Sequence, residues 1–473
     1  MKKYLMRGGL NPLEIKSTED IIFRNLIGAN SGNLLYAYGV YRTLLTEDTV
    51  IDMDYYGVER SYTDKDIERI NREYDAYICP LADAFRDAFT QKLFKYANFF
   101  NKLTIPFYVI GMGMRSPLDG TLADSYVYDD AARAFMKAAT RNGNLVGLRG
   151  ATTAKYLTRL GFEEGKHFMV IGCPSMYSCG RHLPIRPLST GTDGCLPAET
   201  RIAFNMSAIT PDSVLKFLFS EIDRYPNHHV VEQNEAELRL LYFGLPYVSK
   251  KTSQDTMLPL DTSHPLLREN AYHFFVNVPS WREFMSQMDL CIGSKLHGNV
   301  AAVISGCPAV FIPLDGRMKE LIAYHHFPEI DISQIREDDT IDSILQRVDM
   351  TSYLERHPEN FDRFIEFLDL NGIDHIYRDD KDRAVAPLDL AIQKIQISPA
   401  VESILFCDRD EAVRRFTAYA KKRTQELNDA KKGNQEKSQR MSQMEKELKA
   451  IYNSRGWKLV QYFRRLRDKL RKA

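Results

Sequence analysis

The hydrophobic positions of this chain change period along its length, and the changes divide it. Over the first 180 residues, short β-rich runs alternate with segments whose apolar residues recur every three or four positions, the pattern of a parallel sheet flanked by helices. Val50–Asp54, Ala76–Cys79, Phe107–Gly111, Leu145–Leu148 and Met169–Ile171 read as strands. Leu34–Leu45, Asp64–Glu73, Phe85–Asn101, Asp129–Thr140 and Ala151–Leu160 read as helices, the last stopped by Gly161. Residues 178–199 are rich in turn formers, lack any period and read as a linker. A second alternating series then places strands at Arg201–Asn205, His229–Glu232, Leu290–Ile292 and Ala309–Ile312. Its helices are Asp212–Ile222, Glu235–Tyr242, Trp281–Met288, a segment from about Asn299 to Ser305 and one from Met318 to about Tyr324. No internal repeat is present.

The pattern predicts an α/β protein with two Rossmann-like domains: residues 1–180, a linker at 181–199, and residues 200–375. A connecting segment, 376–407, leads to a tail at 408–473. There bulky apolar residues thin out until Met441, Met444, Leu448 and Ile451 recur at 3-4-3 spacing. That stripe predicts a long exposed helix able to pair with a partner helix or a second copy through 408–452, interrupted at Gly433-Asn434. Beyond Gly456, the residues Trp457, Val460, Phe463, Leu466 and Leu470 form a second stripe in a basic helix. Such a helix suits either an anionic membrane surface or the protein body.

Composition changes this picture only locally. The 63 basic and 63 acidic residues cancel, which argues against nucleic acid as a partner, yet residues 455–473 hold eight cations against Asp468, a local +7 offset by −7 elsewhere. Seven scattered cysteines without CxxC or CxxxH spacing argue against a disulfide framework and structural zinc, and imply a reducing compartment. The N-terminus reaches Gly8, Gly9 and Asn11 without an apolar core of signal-peptide length, so a cytoplasmic location is expected, with peripheral membrane contact through 455–473 as an option. The apolar run Leu296–Leu314 contains His297, Asn299, Gly306 and Pro308 and splits into a helix and a strand, so it is not read as a membrane span.

The chemistry concentrates between Gly293 and Glu320. Ser294, Lys295 and His297 sit where the strand Leu290–Ile292 gives way to a helix, whose first N–H groups favour an anion. Lys295 adds positive charge, and His297 can carry a proton near neutral pH. Asp315 and Arg317 follow the next strand, and adjacent parallel strands bring both to the edge that carries Lys295 and His297. Arg149 ends an apolar strand of the first domain, where a cation needs an acidic partner or a ligand.

The motif G-S-K-L-H-G, followed by A-A, G-x-P and D-x-R with Arg317 twenty residues after His297, resembles the polysaccharide pyruvyltransferase family. The resemblance covers roughly residues 20–330 at the level of motif order. Asn30-Ser31-Gly32-Asn33 is similar to the family's N-terminal turn, and Gly111-Met112-Gly113 to its glycine turn. Leu148-Arg149-Gly150 is similar to its R-[ED] segment with Gly150 in place of the acid. Gly172-Cys173-Pro174-Ser175 stands where G-D-P-[AS] is usual, so Cys173 replaces an aspartate.

The resemblance implies a glycosyltransferase-B-like arrangement of the two domains. It also implies transfer of pyruvate from phosphoenolpyruvate to a hydroxyl pair of a sugar, or of a lipid-linked glycan, as a ketal, with no cofactor or metal. The residues carried over are His297, Arg317 and Asp315 as catalytic, and Lys295, Leu296, Arg149, Ser294, Gly293 and Asn33 as substrate-binding. Lys295, Arg317 and Arg149 would hold the anion, His297 would act as general acid, and Asp315 would either deprotonate a hydroxyl or orient Arg317. Two other readings remain open from the residues alone: a nucleotide-sugar glycosyltransferase, and a non-catalytic scaffold in polysaccharide assembly.

Overall fold

The computed structural model describes residues 1–246, 257–431 and 438–461. Its first sheet is parallel, with Lys2–Met6 between Thr49–Met53 and Ala76–Pro80, and Phe107–Ile110 outside Ala76–Pro80. The parallel pair Val146–Leu148 and Phe168–Val170 continues this layer through a bridge from Met112 to Leu148. Strands covered by helices on both faces need apolar residues without alternation, and every residue of Ala76–Pro80 and Val146–Leu148 is buried. The second sheet is also parallel, in the order Tyr272–Phe274, His228–Glu232, Ile202–Asn205, Leu290–Gly293, Ala309–Phe311. Two α/β units with a cleft between them are the architecture expected from the sequence.

The helix Gly32–Leu44 lies between the units, and for that reason is buried along almost its whole length. Its entry turn is pinned to the second unit: Asn30 Nδ2 donates to Asn234 Oδ1 at 2.8 Å, and the Ser31 amide to the Gln233 carbonyl at 2.8 Å. On the other side of the cleft the Gly316 amide donates to the Ser116 carbonyl at 3.0 Å. A Cβ at position 316 would meet the Pro117 carbonyl oxygen at 2.1 Å, so only glycine lets the second unit dock this closely.

Several elements differ from the sequence reading. Lys2–Met6, to which the sequence pattern assigns no element, is an interior strand of the first sheet. Phe85 ends a short strand, Asp83–Phe85, paired with Gly113–Met114, and the helix begins only at Thr90. Helix starts at Leu296 and Gly316 precede the expected ones, which puts His297 and Arg317 in first turns. The 19-residue helix Ser352–Leu370, obscured in sequence by Pro358, crosses back to the first unit: Arg363 Nε donates to the Val170 carbonyl at 2.8 Å, and the Leu145 amide to Asn371 Oδ1 at 2.8 Å.

The tail is not a single exposed helix. Arg409–Lys431 and Ser438–Asn453 pair with one another, Arg423 Nη2 reaching Glu447 Oε2 at 2.9 Å, and Met444, Leu448 and Ile451 are buried within the chain itself. A stripe with an intramolecular partner has no need of a coiled-coil partner. Tyr419 carries this hairpin onto the core beside Phe243. The expected break at Gly433-Asn434 and the apolar positions Phe463, Leu466 and Leu470 lie outside the described residues. Among the described residues, no helix is long and apolar enough to cross a membrane.

Candidate active site

Carboxyl ends of strands from both units face one cavity of about 640 Å³. Of the sequence-predicted residues, Asn33, Arg149, Ser294, Lys295, Leu296, His297, Asp315 and Arg317 all line it. Gly293 does not. It lets the strand Leu290–Gly293 pass against Asn205, whose carbonyl oxygen would lie 2.1 Å from a Cβ at position 293. Asn33 lines the cavity while its side-chain amide donates to the carbonyls of Ile27 and Gly28 at 3.1 and 3.0 Å, so it also holds the entry turn. Ser294 is hydrogen-bonded to Thr210 through the hydroxyls at 2.8 Å.

Lys295 sits at the N-cap of the helix that begins at Leu296, with its amide bonded to Asn205 Oδ1 at 2.6 Å. Its ammonium does not project freely into the cavity. It is paired with Glu232 and lies 2.9 Å from Glu237 Oε2, all three side chains buried. Burial drives the Lys295 pKa well down, and it raises that of Glu237 to about 7 against hydrogen bonds from Asn234 and Gln233. Both glutamates follow directly from the second sheet, Glu232 as the last residue of its strand and Glu237 in the first turn of the next helix. The sequence reading did not use them, although a carboxylate at a strand end beside a motif lysine was visible.

His297 lies against the entry turn of the first unit: a Cβ on Gly32 would come within 2.5 Å of its Nδ1, so Gly32 creates the space for the ring. Its Nε2 is 3.9 Å from Cys173 Sγ. Burial, then the charges of Arg149 and Arg317, hold its pKa well below the usual histidine value, so the ring is neutral at pH 7.

Arg149 is fully buried, and its guanidinium lies over the Tyr36 ring at 4.9 Å. Nη2 points at Cys173 Sγ, 3.7 Å away, a weak acceptor in the position where a carboxylate was expected. Nε and Nη1 have no partner among the described residues. The nearby acid is Glu320, whose carboxylate accepts from Thr153 N and Oγ1 at 3.1 and 2.9 Å. Burial raises its pKa to about 7, opposed by Thr153 and Arg149, so at neutral pH it cancels only part of the guanidinium charge. A buried arginine with two idle donors in a cavity wall is a site for a bound anion.

Arg317 completes the wall. Asp315 caps the helix Gly316–His325, accepting from the Met318 amide at 3.0 Å, and its other oxygen holds Arg317 Nη2 at 3.2 Å. Arg317 Nη1 lies 3.7 Å from Asp83 Oδ2 of the first unit, and its Nε is buried without a partner among the described residues. Burial works against the Arg317 charge, but Asp315 and Asp83 raise its pKa above the ordinary value. Asp83 also binds Arg86 and Arg115, and neither it nor those two cations was marked by the sequence motifs. Their common signal was position, just beyond the strands Ala76–Pro80 and Phe107–Ile110.

A family model described as polysaccharide pyruvyl transferase matches residues 30–316. No curated protein matches the sequence. Similar solved structures include an uncharacterised protein of Klebsiella pneumoniae, 13% identical, with 72% of this chain and 92% of that one covered and a TM-score of 0.37. Another is the UDP-GlcNAc 2-epimerase of Neisseria meningitidis bound to UDP-GlcNAc, 10% identical, covering 77% and 99%, with a TM-score of 0.40. The UDP-GlcNAc 2-epimerase of Methanocaldococcus jannaschii, 10% identical, covers 78% and 99% with a TM-score of 0.39.

Proposed function

The chain belongs to the polysaccharide pyruvyl transferase family, and on that premise we propose that this transferase moves the pyruvyl group of phosphoenolpyruvate onto two hydroxyls of one sugar, forming a ketal. The observation that carries this reading is Arg149, a buried guanidinium with two idle donors that lines the same cavity as Arg317, whose buried Nε is also without a partner among the described residues. A donor with a carboxylate and a phosphate supplies acceptors to both.

The reaction divides into steps that these residues can serve. A proton reaches the methylene carbon of phosphoenolpyruvate, making C2 oxocarbenium-like, and a sugar hydroxyl adds to C2 and gives up its proton. The C2–O–phosphate bond then breaks, phosphate leaves carrying a proton, and the second hydroxyl closes the ketal. The two hydroxyl protons balance the one gained by the methylene and the one that leaves with phosphate. His297 is the proton carrier. Burial first, and then the charges of Arg149 and Arg317, hold its pKa down, and the donor's negative charge opposes the second of these causes. Arg149 and Arg317 stabilise the charge that builds on the departing phosphate. Asp315 orients Arg317, and Lys295, held by Glu232 and Glu237, fixes the strand-to-helix corner from which Leu296 and His297 project.

The competing reading, a glycosyltransferase with a nucleotide-sugar donor, is separated by ligand-dependent thermal stabilisation of the purified chain. Phosphoenolpyruvate is expected to raise the melting temperature, and Arg149→Met to abolish the rise. Stabilisation by a nucleotide sugar with no response to phosphoenolpyruvate would replace this reading with the other.

A further inference from the structure

We propose that the C-terminal hairpin and the basic segment that follows it form a docking surface for an anionic lipid bilayer, built from residues none of which lines the cavity. Charge is spread unevenly along the chain. Residues 409–473 hold twenty basic and eight acidic side chains, a net +12, which leaves residues 1–408 at −12. A body of that sign is repelled by an anionic surface, so contact with one has to be made by the tail. The hairpin keeps its cations outside. On the helix Ser438–Asn453, Met444, Leu448 and Ile451 are buried against the chain while Lys446 and Lys449 are exposed. Neither lysine has an acidic partner among the described residues, and the same holds for Arg455 and Lys458 just beyond, both exposed.

Apolar groups accompany these cations. Ser454 Oγ accepts from the Trp457 amide at 3.2 Å, and a Cβ on Gly456 would lie 3.5 Å from the Phe416 ring, so the turn after the hairpin is seated on its first helix. Trp457 and Val460 are half-buried there, whereas Leu459 is left 57% exposed and Tyr452 44%. In the sequence, Leu459 is the first of four apolar residues, with Phe463, Leu466 and Leu470, at the 4-3-4 spacing of one helical face. Around them fall Arg464, Arg465, Arg467, Lys469, Arg471 and Lys472, against Asp468 alone. A soluble polyanion would use the cations and leave the apolar face in water; a bilayer takes both, phosphates meeting the cations and the acyl boundary the apolar side chains. The surface is also fixed to the body. Arg414 Nη2 lies 2.5 Å from Glu19 Oε1 of the first unit and donates to the Tyr242 hydroxyl of the second at 3.1 Å. Tyr419 packs 4.9 Å from Phe243 and 6.4 Å from Phe23, so the hairpin grips both units at their seam. The proposal does not depend on the donor reading above.

The test is co-sedimentation of the full chain with vesicles of phosphatidylcholine alone or with about 30% phosphatidylserine, at about 0.1 M and about 0.5 M salt. Binding is expected to the anionic vesicles only, and it should fall at least about tenfold at the higher salt, where charges are screened over a shorter distance. This comparison of lipids and salts needs no variant. The double variant Arg455→Glu with Lys458→Glu should weaken binding at least about tenfold, and Leu459→Gln about fivefold, each with an unchanged melting temperature because the replaced side chains are exposed. Equal binding to neutral vesicles, binding to neither, or binding that ignores all three substitutions would overturn the proposal. A chain that bound heparin but not the anionic vesicles would have a soluble polyanion as its partner, which also overturns it.

Discussion

A Cβ on Gly150 would lie 3.0 Å from Glu320 Oε2, so a carboxylate from the second unit occupies the space that a side chain at this position of the first would take. The sequence motif leads one to expect an acid at position 150, and the acid is present in space although absent in sequence. It arrives on the helix Gly316–His325, next to Arg149, and is tied down by Thr153. Packing of one unit on the other therefore sets how much of the Arg149 charge is left for a ligand.

Gly150→Asp should bring two buried carboxylates together. We expect a loss of about 2–4 kcal/mol in chemical denaturation, largely recovered in the double variant with Glu320→Ala. A neutral Gly150→Asp change would mean that Glu320 does not fill this position.

Arg149 makes opposite demands on stability and function. Replacing it with Met removes a buried charge with two unsatisfied nitrogens, so the ligand-free protein should be as stable as the parent or more so. The same change should lower kcat/KM for phosphoenolpyruvate by about a hundredfold or more. Marked destabilisation with retained turnover would assign Arg149 to the scaffold.

Lys295 behaves differently, because its charge is already met. Lys295→Met would leave Glu232 and Glu237 buried against one another, at a cost of about 3–5 kcal/mol. Adding Glu232→Gln and Glu237→Gln should restore much of that stability. A single variant within about 1 kcal/mol of the parent would show that the triad contributes little.

His297 supplies the pH dependence. Its pKa is depressed in the empty site, first by burial and then by Arg149 and Arg317, and a bound anion works against the last two. Phosphoenolpyruvate binding should therefore take up a proton, and affinity should fall as pH rises above the bound-state pKa. Calorimetry in buffers of different ionisation enthalpy reads the uptake, and His297→Gln should remove that part of it. An unchanged proton count in the variant would take His297 out of the proton pathway.

Much of the site was legible because its residues are local in sequence. Ser294, Lys295, Leu296 and His297 lie at one strand-to-helix corner, Asp315 and Arg317 at the next, and parallel strands carry such corners to a common edge. The partners that decide the electrostatics were not legible, because Glu232 and Glu237 meet Lys295, Asp83 meets Arg317 and Glu320 comes near Arg149 only through packing between elements far apart in the chain. The strand Lys2–Met6 was too short and too uniformly buried at its apolar end to show a period. Pro358 masked a helix because it falls in the N-terminal half of a segment long enough to absorb it. The tail stripe was read correctly as helical, but a stripe does not say whether its partner lies in the same chain.

Pyruvyl transfer from phosphoenolpyruvate at the cavity lined by Arg149, His297 and Arg317 can be read out by mass spectrometry of the glycan. Surface glycan and its precursors from cells carrying the parent chain should show a carboxyethylidene increment that is absent with His297→Ala or Arg149→Met. An increment that persists in both variants, or glycan that is identical with and without the chain, would rule out pyruvyl transfer at this cavity.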